Sequence, residues 1–113
     1  MSISRILDLL SQLLSILRDH SVAEWEVEIA DHVEGLRSAA QAGDSHLLIK
    51  ELQEVMRMFG GMGSFNDVFV TERAGHRIGP GQVGTVNSRL QKLSTELFVL
   101  VEQEIERISG GSR

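Results

Sequence analysis

The run ISRILDLLSQLLSIL, Ile3 to Leu17, decides the fold. Its apolar residues Ile3, Ile6, Leu7, Leu10, Leu13, Leu14 and Leu17 recur at three- and four-residue spacing, which lines one side of an α-helix at 3.6 residues per turn. Leu9 and Ile16 lie beside that stripe and widen the apolar arc, so a helix over residues 2–20 is expected to pack against two neighbours. Asp19, His20 and Ser21 break the pattern. Ser21 followed by Glu24 has the spacing of a capping box, which predicts a second helix over 22–42 with Val22, Trp25, Ile29, Val33 and Leu36 facing inward. Trp25 is read there as packing, because a single Trp at helical spacing belongs to a core before it belongs to a ligand platform.

Gly43 is a natural left-handed terminator, and Asp44 or Ser45 a natural cap for a third helix over 45–59, with Leu48, Leu52, Val55, Met56 and Phe59 on one side. The periodicity then stops. Residues 60–82 hold six glycines, a composition in which helix does not persist. Within that segment Gly60 or Gly61 is expected to cap the third helix, with Met62 and Phe65 plugging the end of the bundle. Val68-Phe69-Val70 and the turn Ala74-Gly75-His76 outline a small hairpin over 67–78. Pro80 suits a first helical turn, where its missing N–H is not needed, and Val83, Val86, Leu90, Leu93, Leu97, Leu100, Val101, Ile105 and Ile108 carry a fourth helix over 80–108. Residues 110–113 read as a frayed tail. The fold class expected is all-α: one domain over 1–113, a four-helix up-and-down bundle with a glycine-rich loop between the third and fourth helices.

Composition agrees with that reading. The chain has 113 residues, 42% of them hydrophobic but only 4% aromatic, so Leu, Ile, Val and Met must fill a helical core. Cysteine is absent, which removes disulfides, thiolate metal sites and cysteine nucleophiles and fits a reducing compartment. No export signal or membrane span is apparent. The net charge of −5 is concentrated: three arginines face seven acids within residues 1–42, and Glu24, Glu26, Glu28, Asp31 and Glu34 run without an intervening Lys or Arg. Such a face repels a phosphate backbone, so nucleic acid is disfavoured as a partner. It reads either as a solvated helix face or as an acidic contact surface.

Candidate chemistry is sparse. A phosphate-cradling loop needs a strand before it, a helix after it and usually a Lys, whereas here a helix precedes and no Lys follows. Glu28 and His32 have the i, i+4 spacing of two metal ligands on one helix face, but no second pair matches them. Ser64, Asp67 and His76 share a loop without any nucleophile-elbow signature. No catalytic, cofactor or metal residues are therefore assigned, and the chain is expected not to be an enzyme. Arg73, His76 and Arg77 form a small basic knot, which reads as a mobile solvated turn or as a feature that steers an acidic loop of a partner.

Trp25, the nine residues Phe59-Gly60-Gly61-Met62-Gly63-Ser64-Phe65-Asn66-Asp67, then Gly75-His76 and Asn87 with Leu90 and Leu93, together resemble an uncharacterised family of small bacterial all-helical proteins over roughly residues 10–101. The resemblance implies a cytoplasmic bacterial protein of the kind found as immunity proteins beside secreted toxins, and it implies no catalytic residues. An immunity protein needs a rigid scaffold and charge opposite to its target. On that expectation Glu24, Glu28, Asp31 and Glu34 contact a basic region of a toxin domain, with Met62, Ser64, Asn66, Asp67, Arg73 and Arg77 as a second contact, and the chain acts as monomer or homodimer. A homo-oligomeric structural or regulatory module is the alternative.

Overall fold

The computed structural model describes residues 2–60 and 64–110. Among them every regular element is helical: α1 (Ser2–Asp19), α2 (Ala23–Ala42), α3 (Ser45–Met56) and α4 (Val83–Gly110). Single 3-10 turns lie at Arg57–Phe59, Phe65–Asp67, Glu72–Ala74 and Pro80–Gln82. The contacts run from α1 to α2, α2 to α3, α3 to α4 and α4 back to α1. The wide apolar arc of α1 thus meets two neighbours, and Ile6, Leu9, Leu10, Leu13 and Leu17 are all fully buried. Each such burial contributes about 1.5–3 kcal/mol. Arg5 near the start of α1 donates to Glu96 on α4 at 2.7 Å, while Arg89 near the start of α4 reaches Gln12 at 3.3 Å, so α1 and α4 run antiparallel.

The turns between helices follow the sequence in one case and depart from it in another. Gly43 closes α2 in the left-handed region (φ 64°), and Asp44 caps α3 by accepting the Leu47 N–H at 3.1 Å, as the residue types predict. At the first turn the capping box does not form. Ser21 itself lies at φ 57° and helps to end α1, the N-cap position falls on Val22, and no side chain caps α2 there. The Ser21 hydroxyl instead accepts from Arg77, 56 residues away, and the Glu24 carboxylate turns toward His76. Tertiary hydrogen bonds have taken both halves of the local motif.

α3 also ends differently from expectation. It tightens into the 3-10 turn Arg57–Phe59, and Gly60 is extended (φ −102°) rather than left-handed. No strand and no hairpin forms among the described residues of 67–78. Val68 to Val70 is an extended segment whose backbone partner is a side chain, for Asn87 of α4 accepts the Val70 N–H at 2.6 Å and donates to the Val70 and Val83 carbonyls at 2.8 Å each. Pro80 opens the 3-10 turn that leads into α4. Met62, expected to plug the end of the bundle, lies outside the described residues, as do Gly61 and the end of the expected tail, Gly111 to Arg113. No described helix is long and apolar enough to cross a membrane.

Phe65 does pack as expected. Its ring is 2% exposed and meets Trp25 edge-on at 5.3 Å and Phe59 at 6.2 Å, and Phe59 in turn meets Phe98 of α4 at 5.5 Å. These aromatic contacts join α2, the loop, the end of α3 and α4.

Candidate functional site

α2 carries its acids on the side opposite its core stripe. Ile29, Val33 and Leu36 are buried, while Glu24, Glu28, Asp31 and Glu34 are all exposed. Steps of three and four residues stack these carboxylates along one face. Val27 sits among them, 70% exposed and off the apolar stripe. A fifth carboxylate joins from α3: that of Glu51 packs over Gly35, one turn beyond Asp31, within 2.3–2.8 Å of where a Cβ would stand. Sequence reasoning found the four acids and missed Val27 and Glu51. Val27 was detectable as an apolar residue outside the inward set, but Glu51 becomes part of the face only through the close approach of α3 at Gly35.

The acids are not equivalent. Glu34 pairs with Arg37 at 3.0 Å and Glu28 touches His32 at 3.4 Å, both across exposed geometry that contributes little. Glu24 is different. Its carboxylate meets Nε2 of His76 at 3.0 Å, and the His76 side chain is 4% exposed. Nδ1 of His76 accepts the Thr71 N–H at 3.1 Å, so the ring is held as the tautomer that donates from Nε2 to Glu24. Bonding to its own backbone N–H, and then to His76, holds the Glu24 carboxyl below the ordinary value.

Because the folded-state value is depressed, Glu24 contributes stability above the ordinary value of 4.5 that is lost as pH falls through the lower folded value. Glu24→Gln is accordingly expected to lower the urea midpoint at neutral pH, with the gap to the unaltered chain closing below about pH 4.5. A gap of constant size across that range would contradict the assignment.

The second set of expected contact residues divides. Ser64 is buried, and its hydroxyl oxygen accepts the Asn66 N–H at 3.3 Å, while the Asn66 amide donates to the Phe59 carbonyl at 2.9 Å. Ser64 therefore stabilises a turn and offers little surface to a partner. Asn66, Asp67 and Arg73 are exposed. Arg77 is exposed but committed: its N–H donates to the His20 carbonyl at 2.7 Å, its carbonyl receives His20 Nδ1 at 2.7 Å, and its guanidinium reaches Ser21. The basic knot is thus divided, with Arg73 solvated and the other two held by the fold. His76 is buried and Arg77 is stitched to the corner between α1 and α2. Met62 lies outside the described residues.

His76 does not pair with Ser64, since its two nitrogens serve Glu24 and Thr71. The i, i+4 spacing does bring Glu28 to His32, but no group of three or more His, Asp or Glu among the described residues is placed to hold a metal ion. Two concavities flank the loop. One, of ≈ 770 Å³, lies between the α1–α2 corner and residues 72–82, and a smaller one of ≈ 370 Å³ lies between residues 65–69 and α4.

A family model described as a domain of unknown function (DUF6966) matches residues 22–79, just over half of the chain. The matched region holds α2, α3 and the loop through Gly79, and so includes the acidic face together with His76 and Arg77. No curated protein and no solved structure matches the chain.

Proposed function

The chain belongs to the DUF6966 family, a domain of unknown function, and from that footing we propose that it is a non-catalytic docking protein whose α2 face binds a basic surface on another protein. The scaffold in this reading is an up-and-down four-helix bundle with the glycine-rich segment connecting α3 to α4. The observation that carries it is Val27, 70% exposed in the middle of Glu24, Glu28, Asp31 and Glu34. A face used only for solubility has no need of an exposed apolar residue at its centre. An apolar centre within a charged rim is the anatomy of a protein interface. Carboxylates around it raise the rate of encounter with a cationic partner and suppress anionic ones.

The specific form of this proposal is a bacterial cytoplasmic immunity protein that covers a basic region of a secreted toxin. It rests on the resemblance of the glycine-loop segment and on the fit between an acidic surface and a cationic target. Copurification with the product of the neighbouring open reading frame identifies the partner. With that product in hand, Glu28→Lys, Asp31→Lys and Glu34→Lys together are expected to slow association by roughly tenfold to a thousandfold at low salt. The effect should shrink as salt is added. Glu24 is left unaltered because its carboxylate also holds His76. Association unchanged by the triple reversal excludes the α2 face.

A second reading has its own observation. Val99 is 42% exposed on α4, beside Lys92, Thr95 and Glu96, a surface through which two copies could pair. Light scattering separates the readings, since a homodimer has twice the 12.5 kDa of the chain.

A further inference from the structure

Among the described residues Phe69 is the one exposed aromatic, at 56%. Its neighbours hold it there. Val70 is fully buried, and the Asn87 amide brackets the Val70 N–H and carbonyl from α4, so the extended segment that displays Phe69 is anchored at the residue that follows it. Phe69 borders the ≈ 370 Å³ concavity, whose floor is the buried Phe65, Leu90 and Ser94. Of the residues lining that concavity Asp67 alone is charged, and Asn66, Gln91 and Thr95 add polar groups around the rim. The nearby cations of α4, Arg89 and Lys92, line a separate surface with Gly84 and Ser88.

An aromatic face, a carboxylate and an apolar floor in one small cleft together match a side chain with an apolar stem and a cationic head. The ring attracts a cation through its quadrupole. A carboxylate offers about four acceptor positions, so Asp67 has room for a guanidinium beside the interaction it already makes. An anionic ligand is repelled by Asp67, and a wholly apolar one covers the Asp67 carboxylate without supplying a counter-charge.

We infer that the cleft between Phe69 and α4 receives an arginine side chain of a basic protein partner, with Phe69 under the guanidinium plane and Asp67 as its counter-charge. The inference rests on the docking reading for the source of that arginine, and it adds a second contact that is distinct from the α2 face. A rigidly displayed aromatic is a low-entropy anchor, which is what interface hot spots use.

The test is a titration of the full, isotope-labelled chain with N-acetyl-arginine-N-methylamide, followed by amide chemical shifts, with N-acetyl-leucine-N-methylamide as the neutral probe. The expected result is saturable change confined to residues 65–70 and 87–95 with the arginine probe only. Phe69→Leu keeps apolar bulk but removes the ring, and should weaken binding by about fivefold. Asp67→Asn should weaken it by a similar factor. If Asp67→Asn loosens its turn, Phe69→Leu, altered at an exposed side chain, still decides the question. The Lys reversal of Glu28, Asp31 and Glu34 should leave the titration of the cleft unchanged. Equal response to the leucine probe, no loss in Phe69→Leu, or shifts confined to α2 would overturn the inference. Those outcomes leave the docking reading standing, because it is judged by association of the partner with the triple reversal.

Discussion

Phe65→Ala is expected to destabilise the chain by about 3–5 kcal/mol, the cost of emptying a buried aromatic site. Phe65 is 2% exposed and stands edge-on to both Trp25 and Phe59, so the substitution removes apolar burial and two aromatic contacts at once. Each contact of that kind adds about 0.5–1.5 kcal/mol beyond area. Phe65→Leu, which keeps most of the volume and loses the edge-on geometry, should recover more than half of the loss. Against a total of about 5–15 kcal/mol for an ordinary domain, the alanine variant sits near the limit of folding. Urea unfolding reads the difference directly. A cost below about 1 kcal/mol would mean that residues 64–67 are not integral to the core.

Asn87→Ala comes next, at about 2–4 kcal/mol. The Asn87 amide makes three hydrogen bonds to backbone groups, and Val70, which supplies two of them, is fully buried. Each buried backbone group left without a partner costs about 1–3 kcal/mol. Asn87→Asp separates hydrogen bonding from packing: a carboxylate still accepts the Val70 N–H, but it faces the Val70 and Val83 carbonyls as an acceptor and should be destabilising too. Hydrogen exchange of the Val70 amide is the second readout. It should accelerate in Asn87→Ala well beyond the change at Leu13 or Leu97 in the core, because the loop opens before the helices do.

These two residues also mark the boundary of what the sequence discloses. The four helices follow from apolar spacing alone, and Gly43 with Asp44 follows from residue chemistry, since each of those signals is confined to neighbours within four positions. The loop is another matter. Val68-Phe69-Val70 has the composition of a strand, but the partner that satisfies its backbone is Asn87, 17 residues on, and not a second strand. Ser21 and Glu24 match a local cap, yet their partners are Arg77 and His76. A side chain that substitutes for a backbone ladder leaves no periodicity to detect. The acidic face was legible for the same reason as the helices. That Glu24 is shared between this face and His76 depends on residues 71–76 folding back onto the start of α2, which no local pattern announces.

The structural role of Glu24 bears on function. A partner cation that draws on the Glu24 carboxylate competes with His76, whose other nitrogen accepts the Thr71 N–H, so docking at the start of α2 and the conformation of residues 71–77 share one hydrogen-bonded group. Glu28, Asp31 and Glu34 carry no such coupling to the loop and are the cleaner positions for electrostatic tests.

The methyl resonances of Val27 give the most direct test of docking through α2. Val27, 70% exposed among carboxylates, lies where the proposed interface has its apolar centre. With the product of the neighbouring open reading frame added to saturation, the Val27 methyls should shift or broaden as they leave water, while those of buried Leu13 and Leu97 hold their positions. A complex that forms with the Val27 methyls unmoved would contradict the account.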